Sequence, residues 1–92
     1  MVKHNILSFV LRAKNRLKLL QTISTGQKIS AQIQKETKMY KSHISRTLAE
    51  LQKNKLVKCT NPQDRNFKFY ALTSEGKKVL IEVSKILKDI KQ

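Results

Sequence analysis

The chain has 92 residues and carries 20 Lys and Arg against 6 Asp and Glu, a formal net charge of +14. That length holds one domain with at most a helical extension, and 39% apolar residues suffice for one small core. The longest apolar runs, Ile6–Leu11 and Val79–Val83, are too short to cross a bilayer. With no leader-like segment, a cytoplasmic, nucleoid-associated protein is expected.

Cys59 is the single cysteine, and His4 and His43 are the two histidines, far apart in the chain. No internal disulfide can form, and Cys59 reads as a buried structural thiol. A metal site needs clustered ligands, so no metal and no cofactor is expected. Residues arranged for nucleophilic or acid–base chemistry and a Gly-rich phosphate loop are missing too, which argues against an enzyme. The charge instead favours a polyanion. It steers one at long range, and neutralised phosphates release their condensed counterions. Sixteen of the bases are Lys, so a compositional bias is the competing explanation. Against it, the basic excess runs along the whole chain; residues 1–28 hold six bases and no acid.

In chain order, Val2–Ser24 has no breaker. Ile6, Leu7, Val10 and Leu11 follow helical spacing, as do Ala13, Leu17, Leu20 and Ser24. This predicts helix, as one piece or as two with a break near Lys14-Asn15, where Asn15 would cap the second. Gly26 suits the left-handed position that ends it. Gln27–Ile29 is placed to form a short strand. Ser30 is the expected cap of a helix over about Ala31–Thr37, with Ile29 and Ile33 facing inward. After Lys38-Met39-Tyr40, a second helix spans about Lys41–Lys53, its apolar stripe being Ile44, Leu48 and Leu51. Leu56–Thr60 is β-prone, residues 61–66 are dense in turn formers, and Phe67–Leu72 alternates as a strand. Thr73 or Ser74 caps a last helix to about Ile90, with Glu75 in its first turn.

Two short helices joined by a tight turn, the second polar on its outer face, form a helix-turn-helix pattern. The major groove admits one α-helix and offers base edges that need hydrogen-bonding partners. Lys41, Ser42, His43, Ser45 and Arg46 are the candidates to supply them, Arg46 by bidentate contact to guanine or a clamp on phosphate. Tyr40 stands at the helix entrance. The hairpin tip carries Arg65, suited to a narrow minor groove, with Lys58 and Lys68 beside it. Two other readings stay open at this point. The polar face of the second helix is also what any solvated amphipathic helix shows, and the alternative for Asp64 and Arg65 is that they pair with each other or cap the hairpin.

Residues 29–57, ISAQIQKETKMYKSHISRTLAELQKNKLV, resemble the winged-helix core of MarR- and ArsR-type regulators, especially small archaeal ones. The likeness rests on Ala31, the run Ser42-His43-Ile44-Ser45-Arg46, Leu48, Leu51 and Leu56-Val57. It continues in Asp64-Arg65 and in Phe69-Tyr70-Ala71-Leu72-Thr73-Ser74-Glu75-Gly76, similar to the family's wing and D-R…Y-x-L-T-x-x-G pattern. Upstream, Lys14–Leu20 looks like the first core helix. The likeness covers roughly residues 12–80. Three positions depart from it: Lys38 and Lys55 stand where the family often has Gly, and Tyr40 where it often has Ser or Asn. The Cys-rich sites of metal-sensing ArsR-type members are missing.

The resemblance implies an α+β, mostly α fold: a winged helix-turn-helix with a two- to three-stranded β-wing and a C-terminal dimerisation helix. The core is expected over 12–73, the recognition helix over about 41–53 and the wing over about 56–72. Residues 1–11 and 74–92 are expected as dimerisation helices. Val79, Val83, Ile86 and Ile90, with Leu80 and Leu87 adjacent, make a stripe wide enough for a heptad-like seam with a second chain. The expected function is sequence-specific binding of double-stranded DNA by a homodimer, as a transcriptional repressor. The alternatives are a non-specific architectural DNA binder and a winged helix used for protein contacts in a transcription complex.

Overall fold

The breaker-free stretch at the start of the chain folds as two helices, α1 (His4–Leu11) and α2 (Lys14–Ile23). The computed structural model describes residues 4–90, with backbone alone for Ile90. The expected helix start at Val2 and the Ile90 side chain therefore lie outside the described residues. The break falls at Arg12-Ala13, earlier than the expected Lys14-Asn15, and an extended Ala13 takes the cap position in place of Asn15. Arg16 explains why α1 stops there. Its Nη1 donates to the Phe9 carbonyl at 2.6 Å, one of the carbonyls a helix end leaves without a partner. Its Nε and Nη2 donate to the two carboxylate oxygens of Glu50, each at 3.3 Å. Its guanidinium also lies 3.9 Å from the Phe9 ring centroid, within cation–π range.

Strand β1 (Lys28–Ile29) follows, then α3 (Ser30–Thr37) and α4 (Lys41–Lys53). Ile29 holds the cap position expected of Ser30, and Gln32 Oε1 accepts from the Ile29 N–H at 3.1 Å. The turn between α3 and α4 is anchored from inside. Met39 is buried, and the Thr37 hydroxyl donates to the Ile33 carbonyl at 2.7 Å while accepting from the Met39 N–H at 3.2 Å.

Both lysines that replace glycine are left-handed, Lys38 at φ 60 and Lys55 at φ 61. Lys55 ends α4 in a Schellman arrangement: Leu56 N–H reaches the Leu51 carbonyl at 2.9 Å and Lys55 N–H the Gln52 carbonyl at 3.0 Å. The chain thus tolerates about 1–2 kcal/mol of backbone strain at each position. Glycine there relieves that strain but adds roughly 0.5–1 kcal/mol of unfolded-chain entropy. Lys38→Gly and Lys55→Gly are each expected to raise the thermal midpoint by roughly 2–8 °C, measured by circular dichroism.

Strands β2 (Val57–Cys59) and β3 (Phe69–Leu72) complete a three-stranded antiparallel sheet in the order β1-β3-β2. Lys28 lies opposite Tyr70 on one side, and Val57 opposite Leu72 on the other. The third edge expected at Gln27–Ile29 is present, but β3 starts two residues later than the expected Phe67. Cys59 is half-buried rather than buried, its Sγ 3.8 Å from Asn61 Oδ1.

Helix α5 (Ser74–Ile90) is capped by Thr73, whose hydroxyl oxygen accepts from the Gly76 N–H at 3.0 Å and donates to the Lys55 carbonyl at 2.7 Å. Gly76 passes directly over Leu56. A Cβ there would overlap the Leu56 carbonyl oxygen and come within 3.1 Å of its carbon. The core between the helices and the sheet is built on Leu19, Leu20, Ile33, Ile44, Leu51, Leu56, Val79 and Val83, each at most 1% exposed. Each such side chain contributes about 1.5–3 kcal/mol on burial.

Candidate nucleic-acid interface

Helix α4 turns Ile44, Thr47, Leu48 and Leu51 into the core. Helical geometry then leaves Lys41, Ser42, His43, Ser45 and Arg46 exposed on its other side. Tyr40, 75% exposed, stands at the entrance. Its ring meets the His43 ring edge-on with centroids 5.7 Å apart, so His43 packs outward on Tyr40 and not against α3. Among the described residues, no ion pair involves Lys41, Arg46, Arg65 or Lys68.

The fold brings three of the expected cations to one cleft. Lys41 from the first turn of α4 lines it with Arg65 and Lys68 of the β2–β3 loop, alongside Ser30 and Ala31 from the first turn of α3. No acidic residue is among its lining residues. Two helix N-termini add the partial positive charge of their unpaired N–H groups. Ser42, His43, Ser45 and Arg46 lie further along α4. The part played by the start of α3 was not expected from sequence.

The β2–β3 loop is pinned by two side chains. Asp64 Oδ1 accepts from the backbone N–H of Asn66 and of Phe67, both at 2.9 Å. Asn61 Nδ2 donates to the Phe67 carbonyl at 2.6 Å, and its Oδ1 accepts from the Phe69 N–H at 2.7 Å. These bonds draw residues 66–68 out of the strand ladder, which is why Phe67 belongs to the loop and not to β3. Asp64 is thus engaged with backbone and makes no pair with Arg65. The only sequence signal for this frame was the spacing Asn61-Pro62-Gln63-Asp64.

The N–H groups of Phe67, then Asn66, hold the Asp64 carboxyl below the usual carboxylate range. A depressed folded value means that the carboxylate supports the loop above its unfolded pKa and stops doing so as pH falls through the lower folded one. The amide shifts of Asn66 and Phe67, followed by NMR, are expected to titrate together with a midpoint below that of an ordinary aspartate. Burial, followed by the neighbouring Cys59, pushes the Tyr70 phenol up, so the hydroxyl at the cleft wall stays protonated at neutral pH.

The residues expected at a dimer seam separate into two groups. Val79 and Val83 are 0% exposed inside the chain's own core and have no surface to offer another chain. At those two positions α5 faces its own protomer's core. Leu80 and Leu87 are half-buried against the core. Ile86 borders an open apolar hollow shared with Leu7 and Leu11 of α1. Part of the wide stripe is therefore covered within the chain by α1.

No family model matches the chain, and no curated protein matches it in sequence. Solved structures do match in shape. Bordetella bronchiseptica BpsR, whose DNA binding is regulated by 6-hydroxynicotinic acid, superposes with a TM-score of 0.78 at 20% identity, over 87% of this chain and 62% of that one. The fold is a winged helix. An Escherichia coli MarR variant in complex with operator DNA gives a TM-score of 0.72 at 20% identity, over 86% of this chain and 58% of that one. AF1382 from Archaeoglobus fulgidus gives 0.74 at 19% identity, over 89% of this chain and 94% of that one. The chain thus spans about three-fifths of the BpsR and MarR chains and nearly all of the Archaeoglobus one. In this fold α4 is the second helix of the helix-turn-helix, and β2 and β3 form the hairpin that follows it.

Proposed function

We propose that this chain is a small MarR-like transcriptional regulator of archaeal type, a repressor that binds double-stranded DNA sequence-specifically as a homodimer in the cytoplasm. The observation that carries the reading is the convergence of Lys41, Arg65 and Lys68 on one cleft with no acidic residue in its lining, at the start of the helix that exposes Ser42, Ser45 and Arg46. The MarR variant bound to operator DNA supports it by analogy of fold. In this reading Ser42, Ser45 and Arg46 meet base edges in the major groove. Tyr40, Lys41, His43 and Lys68 hold the adjacent backbone, and Arg65 enters the minor groove. Leu80, Ile86 and Leu87, with α1, form the dimer seam. A dimer sets two recognition helices about 34–36 Å apart and calls for a palindromic site.

An architectural role is the second reading. It is favoured by exposed lysines that are not part of the cleft, Lys14 and Lys18 on α2 and Lys77, Lys85 and Lys88 on α5. Binding to a genomic fragment pool at about 150 mM salt, followed by footprinting, separates the two. An enriched palindrome with two protected major-groove patches supports the regulator. Uniform retention with steep salt dependence supports the architectural protein. No retention sinks both and leaves a protein-contact module.

A further inference from the structure

Phe67 is 60% exposed, although the chain has only three phenylalanines to build its core. A lone exposed apolar side chain is ordinary; two further observations set this one apart. Its backbone is clamped on both sides, N–H by Asp64 and carbonyl by Asn61, so the ring is held in solvent by a rigid frame. Arg65 and Lys68 flank it, and all three line the cleft that also holds Lys41 at the entrance of the recognition helix. A fixed phenyl between cations is matched to a partner that is anionic outside and apolar between its layers.

We infer that Phe67 is a wedge that enters between two base pairs of duplex DNA beside Arg65 and kinks the duplex. The inference rests on the DNA-binding reading and adds a specificity-determining residue to it. Apolar wedges in the minor groove unstack a step and bend the duplex by about 20–90°. Pyrimidine–purine steps such as TA and CA/TG open most easily. Phe67 then selects a flexible step under the wing without a hydrogen bond to any base. The Asp64–Asn61 frame supplies the rigidity this needs, because a mobile loop would fold the ring away instead of forcing a step open.

The test uses duplexes of about 30 base pairs, selected from a random pool by the wild-type chain and labelled with a dye at each end. Bound wild type is expected to shorten the end-to-end distance by energy transfer, consistent with a kink of at least about 20°. Phe67→Ala is expected to keep the major-groove footprint while losing the kink and a roughly tenfold preference for flexible steps under the wing. Phe67→Leu, still an apolar wedge, keeps both. Equal end-to-end distances for wild type and Phe67→Ala, on a duplex that both protect, overturn the wedge and leave the DNA reading intact. If the wild type selects no duplex, the DNA reading itself fails and the wedge fails with it. A Phe67→Ala loss confined to single-stranded oligonucleotides overturns the wedge in favour of stacking on unpaired bases.

Discussion

Gly76→Ala is expected to lower stability by about 3 kcal/mol or more, which for a domain of this size moves the thermal midpoint down by at least about 12 °C. An alanine inside a helix ordinarily gains roughly 0.5–1 kcal/mol over glycine, so the sign of the change is itself diagnostic. Here the added methyl collides with the Leu56 backbone carbonyl, and a backbone atom cannot rotate aside as a side chain can. That carbonyl is also committed, since it accepts from the Thr73 N–H at 3.0 Å. Relief would require α5 to lift off Leu56, just ahead of β2, exposing Val79 and Val83 from the centre of the core. Thermal unfolding followed by circular dichroism reads the effect. A variant as stable as the wild type would mean that α5 does not cross Leu56 at this distance.

Arg46→Ala is expected to leave stability unchanged, because the side chain is exposed and forms no ion pair among the described residues. Its effect falls on recognition. A bidentate arginine–guanine contact is worth about 1–3 kcal/mol of discrimination, so affinity for the selected site should drop by roughly 5–150-fold while affinity for bulk DNA hardly changes. Lys41→Ala should do the opposite, weakening binding to all sequences alike and reducing the salt slope by about one. Titrations of both variants against selected and random duplexes at several salt concentrations make the comparison. If Arg46→Ala lost affinity uniformly and lowered the salt slope, Arg46 would be a phosphate contact and the base-reading role would pass to other residues of α4.

Much of this architecture is legible in the residues because local and long-range demands agree. Ile44, Leu48 and Leu51 repeat at helical spacing and are all buried, and Lys41–Lys53 has the bounds that its pattern predicts. The sheet was legible in the alternation before Thr73 and in the short strand ahead of Ser30. What escaped the sequence was set by particular side-chain hydrogen bonds and by packing between elements, neither of which periodicity shows. The break after α1 depends on Arg16 reaching back to Phe9 and across to Glu50, contacts no local pattern encodes. Phe67 reads as a strand residue by alternation, yet Asp64 and Asn61 take its backbone groups before a neighbouring strand can. Val79 and Val83 look like seam residues because periodicity gives the width of an apolar stripe, not which part of it the chain's own helices cover. That Lys41, Ser42, His43, Ser45 and Arg46 are exposed follows from the apolar stripe of α4, whereas three cations, Lys41, Arg65 and Lys68, share a cleft. Their meeting with the start of α3 depends on how the hairpin folds back over it.

The bracket at Arg16 also has a mechanical meaning. One guanidinium grips the end of α1 through the Phe9 carbonyl and ring, and α4 through Glu50. Turning α1 against α4 would break these contacts together, so Arg16 ties the orientation of one helix to that of the other.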